Sequence, residues 1–363
     1  MEAPDCQDLS TLEINIHLRK FLYKKDQLNS GMKELTELRK EARPSVAVIG
    51  LGGAGSNIIT YLSEKKIGGA KIIAANTDIN HLVLQRADKL LLLGKERCKG
   101  KGCGGFPEVG GECARESEVD IRKELEGINI IFIVAGLGGG TGTGSAPVVA
   151  EISRSIGALT IACLTMPFEI EYLRRENAKK AILSLSKTCD SVVLIDNTKL
   201  RKVAGNLPLK TAFAVANTLI GSLIKSITET ITEPALMNLD FADLKAVLEK
   251  GGISSFGIGD GDGENRVVKA VESAIAAPLL DIPDLSASHG LLVNIIGGQD
   301  MTLDEVAKIG ELMVQHVSKT KRVIWGAKID ETMTGRIRVI ALFASVGNPF
   351  ETGSKDRPEP QIN

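Results

Sequence analysis

The stretch GLGGGTGTGSAP at 136–147 decides how this chain folds. Six of its first nine residues are glycine, Thr141 and Thr143 stand between them, and Ser145, Ala146 and Pro147 follow. An apolar run, IIFIVA at 130–135, leads into it, and proline in a first helical turn marks a helix start. The order is therefore buried strand, glycine loop, helix. Such a loop brings successive backbone N–H groups and two hydroxyls to a helix N-terminus, where the dipole favours an anion such as phosphate. A flexible linker of this composition would not stand between a buried strand and a helix start.

A second glycine loop lies upstream in VAVIGLGGAGSN at 46–57, where Gly50, Gly52 and Gly55 make G-x-G-x-x-G after an apolar run. Alone, it reads equally well as the pyrophosphate loop of a nicotinamide enzyme, and Asp78 falls 23 residues beyond Gly55, near the position of a ribose-binding acid. A dinucleotide needs only one such loop, however, and no hydride-transfer base is evident. Two loops at neighbouring strand ends suit a longer phosphate chain gripped from both sides. The Lys of G-x-x-x-x-G-K-[ST] is missing, which excludes that class of nucleotidase.

Outward from these loops the texture is regular. Apolar runs near 45–50, 70–75, 128–135, 159–164 and 191–195 alternate with helical stretches near 56–66, 114–126, 146–156 and 171–187. This predicts an α/β fold, a parallel sheet with helices on both faces. A long helix is expected from Pro208 to about Ile231, with Phe213, Ala216, Leu219, Ile220, Leu223 and Ile227 on its apolar stripe. A smaller unit follows, with strands near 253–258, 290–296, 322–328 and 336–345 and helices near 264–276 and 302–318. Residues 1–43 read as an amphipathic helical extension, and the polar tail over 349–363 as flexible.

In PALMNLDFADLKAVLEKGG at 234–252, Asp240 and Asp243 stand three apart at the start of a helical face. Two readings stay open here. The acids cap the helix and favour its dipole, or, with Asn238, they orient and polarise an attacking water.

Composition narrows the partners. The 44 Lys and Arg nearly balance the 45 Asp and Glu, and 4% of residues are aromatic, so no nucleic-acid footprint is visible. No apolar run approaches the roughly 18 residues of a membrane span, which predicts a soluble, cytoplasmic protein without membrane insertion. Cys98, Cys103 and Cys113 cluster in KERCKGKGCGGFPEVGGEC, where three thiols could ligate a soft metal or form a bridge, yet their spacing matches no zinc or redox motif. They are expected to be ordinary reduced cysteines. With His17, His81, His289 and His316 scattered, no catalytic metal site is predicted.

With these segments in order, the chain resembles the FtsZ and tubulin superfamily, and archaeal FtsZ in particular. The likeness runs through GGAGSN (52–57), ANTD (75–78), FPEVG (106–110), GGGTGTGSAP (138–147) and NLDFADL (238–244), and covers about residues 44–346. It implies a tubulin/FtsZ-like fold with a GTP-binding domain over 44–207, a connecting helix over 208–231 and a GTPase-activating domain over 232–348. It further implies a cytoskeletal GTPase, using GTP/GDP and Mg²⁺, that polymerises head to tail and forms the mid-cell division ring.

Carried over by resemblance, Gly52, Gly53, Ala54, Gly55, Ser56 and Asn57 hold phosphates and part of the nucleoside, with Asn76 beside them. Gly138, Gly139, Gly140, Thr141, Gly142, Thr143 and Gly144 cradle the phosphate chain. Glu171 and Arg175 match ribose and phosphate contacts, Asn197 a base-side contact, and Phe213 a ring near guanine. Asn238, Asp240 and Asp243 would act on the neighbouring subunit's γ-phosphate. Implied partners are further copies of the chain, a paralogous FtsZ, and a membrane adaptor such as SepF. Two features depart from the pattern: Thr218, preceded by Asn217, stands where the family has an Asp that reads guanine, and the tail ending PEPQIN is short. The departure at Thr218 supports an alternative, a nucleotide-binding filament scaffold with weak hydrolysis or altered base specificity.

Overall fold

A computed structural model describes residues 43–204, 206–233, 236–237, 239–249, 251–276, 285, 288–315 and 322–346. Residues 1–42 of the expected extension, Asn238 and the tail over 349–363 lie outside them. The chain divides into two compact units, Met1–Pro44 and Ser45–Asn363, and the sheet belongs to the second.

Ten strands form that sheet: β1 (Val46–Leu51), β2 (Ala70–Asn76), β3 (Lys89–Leu92), β4 (Ile130–Gly136), β5 (Leu159–Met166), β6 (Ser191–Asp196), β7 (Ile253–Asp262), β8 (Gly290–Gly297), β9 (Arg322–Ile329) and β10 (Arg336–Ala344). Their order is β3-β2-β1-β4-β5-β6-β7-β10-β8-β9. The first seven are mutually parallel, while β10 runs antiparallel to both β7 and β8. Both faces of the parallel half are covered. Ala47, Ile49 and Leu51 join one core, and Val46 and Val48 the other. Burial on both faces is why these strands read as continuous apolar runs instead of alternating ones.

The helices are α1 (Gly52–Glu64), α2 (Ile79–Leu82), α3 (Pro107–Glu116), α4 (Glu118–Leu125), α5 (Thr141–Ser155), α6 (Tyr172–Thr188), α7 (Asn197–Ala204), α8 (Leu209–Thr232), α9 (Phe241–Leu248), α10 (Arg266–Ala276) and α11 (Leu303–Val314). The α1 and α5 starts differ from expectation: Gly52–Gly55 and Thr141–Gly144 form first helical turns, and only 137–140 remain as a loop ahead of α5. The helix expected over 114–126 is two helices with a break at Ser117.

Helix α8 contains a 22-residue stretch, Thr211–Thr232, long and apolar enough by composition to cross a membrane, contrary to the expectation that no run comes close. Its apolar stripe is used internally. Ala216, Ile220, Leu223, Ile224 and Ile227 are buried, the last four in a core shared with β8 and β10 residues Leu292 and Leu342. Near its end, Lys328 of β9 donates to Glu229 (2.8 Å) and Glu233 (2.9 Å), and Asn294 of β8 donates to Thr230. Burial opposes the Lys328 charge, but the two carboxylates outweigh it and raise its pKa. Phe213, placed on the core stripe from the sequence, is instead 40% exposed.

The second half of the sheet packs through absent side chains. Gly257, Gly259 and Gly261 alternate along β7, and a Cβ on each would collide with the Ala274, Ala270 and Arg266 carbonyls of α10. Gly259→Ala must lift that helix and is expected to cost about 1–3 kcal/mol. Gly310→Ala, inside α11 with nothing within 4 Å of the new Cβ, is expected to stabilise by about 0.5–1 kcal/mol. Urea midpoints of the two variants should move in opposite directions.

Candidate functional site

β1 and β4 are hydrogen-bonded neighbours with Leu51 opposite Ala135, so the segments leaving their C-terminal ends start side by side. Gly52, at φ +69°, turns the chain from β1 straight into α1, and a Cβ there would press on Gly142 N and Thr141 Cβ. Gly142 is itself wedged against the Gly136 and Leu51 carbonyls, and Gly136 against Ala54. The two glycine segments thus meet backbone to backbone. Their free N–H groups belong to the first turns of α1 and α5, where no intrahelical acceptor exists.

Gly139 remains open, with nothing within 4 Å of an added Cβ, and Gly53, Ala54 and Asn57 are exposed. These outline the accessible face of the floor. Gly138, at φ +98°, lies against Pro167 and Arg174, Gly140 against Cys103 and Phe106, and Gly144 against Pro107 and Gly111. The Thr143 hydroxyl accepts from Gly138 N at 2.8 Å, so it braces the loop from within. Thr141 Oγ1 lies 2.7 Å from Thr77 Oγ1.

The turn after β2 is self-supporting. Asn76 Oδ1 accepts from Thr77 N (2.8 Å) and Asp78 N (3.3 Å), and its Nδ2 meets His81 Nδ1 at 3.3 Å. Asp78 caps α2 by accepting from Asn80 N and His81 N. The carboxylate that suggested a ribose acid is therefore a helix cap. His81 reaches instead toward Gly53, 3.7 Å from a Cβ built there.

Beyond β5, Glu171 accepts from Phe168 N at 3.1 Å and from Arg174 at 2.6 Å. Arg175 donates from its two terminal nitrogens to Asp196 (3.1 and 3.3 Å) and to Pro167 O (3.0 Å), which ties α6 to the end of β6. Arg174, not Arg175, borders the glycine floor. Among the described residues, five buried side-chain atoms have no hydrogen-bond partner, and two of them, Ser56 Oγ and Asn197 Oδ1, belong to this set. Buried polar groups are normally paired, but both atoms lie beneath the accessible surface and do not face the open side of the floor.

Phe213, near the start of α8, stands edge-on to Phe168 with ring centroids 6.1 Å apart, which makes an aromatic wall on the same edge of the sheet. Asn217 is half-buried one turn further on. Thr218 is exposed and its hydroxyl donates to the Ala214 carbonyl of its own helix. Thr77, His81, Phe168 and Arg174 were not singled out from the sequence. Only Thr77 carried a signal there, its place in ANTD at the end of a strand.

The acidic pair lies elsewhere. α8 runs from Phe213 at the C-terminal edge of the strands to Thr232 and Glu233, which crowd Gly69 and Gly68 just before β2 begins. Gly326 is crowded by both Thr230 and Leu239, so the residue preceding Asp240 sits at that far end of α8. At 1.5 Å per residue, the helix separates the ends by about 30 Å. Asp240 caps α9, accepting from Ala242 N at 3.1 Å, and Asp243 is exposed in its first turn. Within one chain these carboxylates do not reach the glycine floor.

The model of the Tubulin/FtsZ family, GTPase domain matches residues 45–205, and that of the FtsZ family, C-terminal domain matches residues 252–347. The cell division protein FtsZ of Methanothermobacter thermautotrophicus is 44% identical over 331 residues, 91% of this chain and 87% of that protein. A solved structure of an empty FtsZ dimer from M. jannaschii matches with a TM-score of 0.82 at 40% identity, covering 91% of this chain and 99% of its own. CetZ2 from Haloferax volcanii, solved as a GTPγS-bound protofilament, shares the fold at a TM-score of 0.71 and 23% identity, over 84% of this chain and 94% of its own. With both family domains matched in order and the glycine-floored edge lying in the first of them, the chain belongs to the tubulin/FtsZ family, on its FtsZ branch.

Proposed function

We propose that this chain is a cytoskeletal GTPase that assembles head to tail into protofilaments and hydrolyses GTP at the junction between subunits, the polymer forming or supporting the mid-cell division ring. The observation that carries this reading is the separation within one chain of the glycine floor from Asp240 and Asp243, at opposite ends of α8. Such a layout functions when one subunit's acids meet the next subunit's nucleotide. Exposed apolar side chains at both poles favour that contact: Ile170, Tyr172 and Leu173 beside the floor, and Leu236 and Met237 beside the acids. The family's dimer and the GTPγS-bound CetZ2 protofilament support it by likeness.

The residues divide the work as follows. Backbone N–H groups of Gly52–Ser56 and Gly139–Thr143, with the Thr141 hydroxyl, bind the phosphates, while Gly138 N is held by Thr143 and Gly144 N by the Gly140 carbonyl. Phe213 and Phe168 flank the base, and Glu171, Asn197 and Asn57 engage the nucleoside. From the next subunit, Asp240, Asp243 and Asn238 orient and polarise the attacking water, Asp240 doing so through the carboxylate oxygen that its cap leaves unused. The oxygen donors at the floor are hydroxyls and carbonyls, since Asp78 is occupied in capping α2. That set suits Mg²⁺ held mainly by phosphate oxygens and water, where it offsets phosphate charge. Attachment to the membrane is assigned to an adaptor of the SepF kind.

A second reading, a filament scaffold with weak hydrolysis or relaxed base choice, is favoured by Thr218, whose hydroxyl is turned to its own helix. A carboxylate there, accepting from guanine N1–H and N2–H, is worth about 1.5–3 kcal/mol. Thr218→Asp should therefore raise the preference for GTP over ATP by roughly tenfold or more in nucleotide competition.

Phosphate release per subunit, followed against protein concentration, should rise above a threshold; a flat profile would remove the shared site. Asp243→Ala should lower turnover by at least about 100-fold while GTP-dependent filaments persist in pelleting. Leu173→Glu should raise the threshold concentration and leave GDP affinity unchanged, because it buries a charge in the contact and not in the pocket.

A further inference from the structure

Beneath the phosphate floor lies a cluster that the nucleotide reading does not use. The Sγ atoms of Cys98, Cys103 and Cys113 all lie within 4.8 Å of one another, with Cys98 and Cys113 at 3.1 Å. All three are nearly or wholly buried, at 8%, 7% and 0% exposure. Spacing in sequence did not show this convergence, because Cys113 comes from α3 while Cys98 and Cys103 come from the loop before it.

The loop is shaped to bring the thiols together. Gly94, Lys99, Gly100, Gly102, Gly104 and Gly105 all have positive φ. A side chain on Gly94 would occupy the space of the Cys113 thiol, and one on Gly140 would strike Cys103 Cβ. Glu116 accepts from the Glu96 and Arg97 amides, and Arg97 donates to Glu112 at 2.7 Å, which pins the loop to α3. Cys103 Sγ donates to Thr77 Oγ1 at 3.2 Å and accepts from Thr141 Oγ1 at 3.6 Å.

We propose that Cys98, Cys103 and Cys113 bind a thiophilic metal ion, and that its presence is felt at the phosphate floor through Cys103 and Thr141. Zn–S bonds of 2.3 Å in tetrahedral geometry place sulfurs about 3.8 Å apart, inside the 4.8 Å within which all three sulfurs already lie. Three thiolates and no carboxylate or imidazole in the cluster select a soft ion such as Zn²⁺ or Cu⁺ over Mg²⁺ or Ca²⁺. Burial raises the Cys98 and Cys113 thiols above their ordinary pKa, so without metal they stay protonated and poor nucleophiles. Each thiol that ligates the ion releases its proton, so affinity rises with pH. Cys103 Sγ touches both Thr77 Oγ1 and Thr141 Oγ1, so an ion that draws this sulfur into its coordination shell shifts the two hydroxyls with it. That shared contact is the link to the floor.

The test uses the full-length chain, reduced and stripped of metal, titrated without oxygen with Zn²⁺ and separately with Cu⁺ against chromophoric chelators. One equivalent of at least one ion should bind, and Co²⁺ should give a thiolate charge-transfer band. Cys98→Ser should weaken binding by more than the roughly 10–100-fold cost of losing an outer-shell partner, while Cys6→Ser and Cys189→Ser keep it. An unchanged metal-free melting temperature shows that Cys98→Ser folds. Failure of both ions to compete, equal binding by Cys98→Ser, or loss of two thiols to a disulfide without metal uptake would overturn the site. The link to the floor rests on the nucleotide function proposed above: GDP affinity should differ by roughly fivefold or more between metal-bound and metal-free protein. An unchanged GDP affinity in protein that binds metal overturns the link alone, and absence of any GDP binding marks failure of the nucleotide reading instead.

Discussion

The contact between two stretches of bare backbone is the constraint on which the rest of the structure depends. Gly52 lies against Gly142, Gly142 against the Leu51 and Gly136 carbonyls, and Gly55 against the Val134 carbonyl. Because no Cβ intervenes, α1 and α5 begin within contact distance at the ends of adjacent strands. Each N-terminus carries roughly half a positive charge, and their proximity makes the two fields add over one small region. α3 joins the same floor through Gly110 and Gly140, and through Gly144 and Pro107. In the proposed phosphate site this density of donors takes the part that the Lys plays in the other phosphate-loop class.

The long helix converts that local site into a property of the whole molecule. α8 has an aromatic contact at one end and charge pairs with β9 at the other, and a buried stripe between them. Lys225 and Lys328 together hold Glu229 ionised against the cost of burial. A strut so anchored fixes the distance between the glycine floor and the acidic turn. Flexing cannot close a gap of about 30 Å, so any chemistry that needs both ends involves two molecules.

The sheet was legible in the sequence because strands buried on both faces cannot hide their apolar runs. Most of the glycine positions were legible for a related reason: a Cβ on Gly52, Gly55, Gly138, Gly140, Gly142 or Gly144 would meet a neighbour at 3.0 Å or less, whereas Gly53 and Gly139 have room for one. Helix starts were misread because Gly52–Gly55 and Thr141–Gly144 have the composition of a loop and the conformation of a first turn. β3 and α2 are four residues each, too short for periodicity to show. Thr77, Phe168 and Arg174 reach the site across the sheet, and a linear pattern does not carry that proximity. The cysteine cluster was half legible: the residues were visible, but their meeting point is set by left-handed glycines and by a helix from the far side of the loop.

Capping and catalysis at the acidic turn are not rival readings once the geometry is in hand. Asp240 accepts from Ala242 N through one oxygen, Oδ1, and a carboxylate has acceptor capacity on both. The cap fixes the side chain at the start of α9, which spares it the entropy loss of being ordered by a neighbour. Asp243, one turn on and exposed, carries no such bond among the described residues and is the freer acceptor. Both sit near Leu236 and Met237, exposed apolar residues that gain from being covered. A surface that pre-orders one acid, leaves the second free and surrounds them with uncovered apolar area has the features of half an active site presented to another copy of the chain.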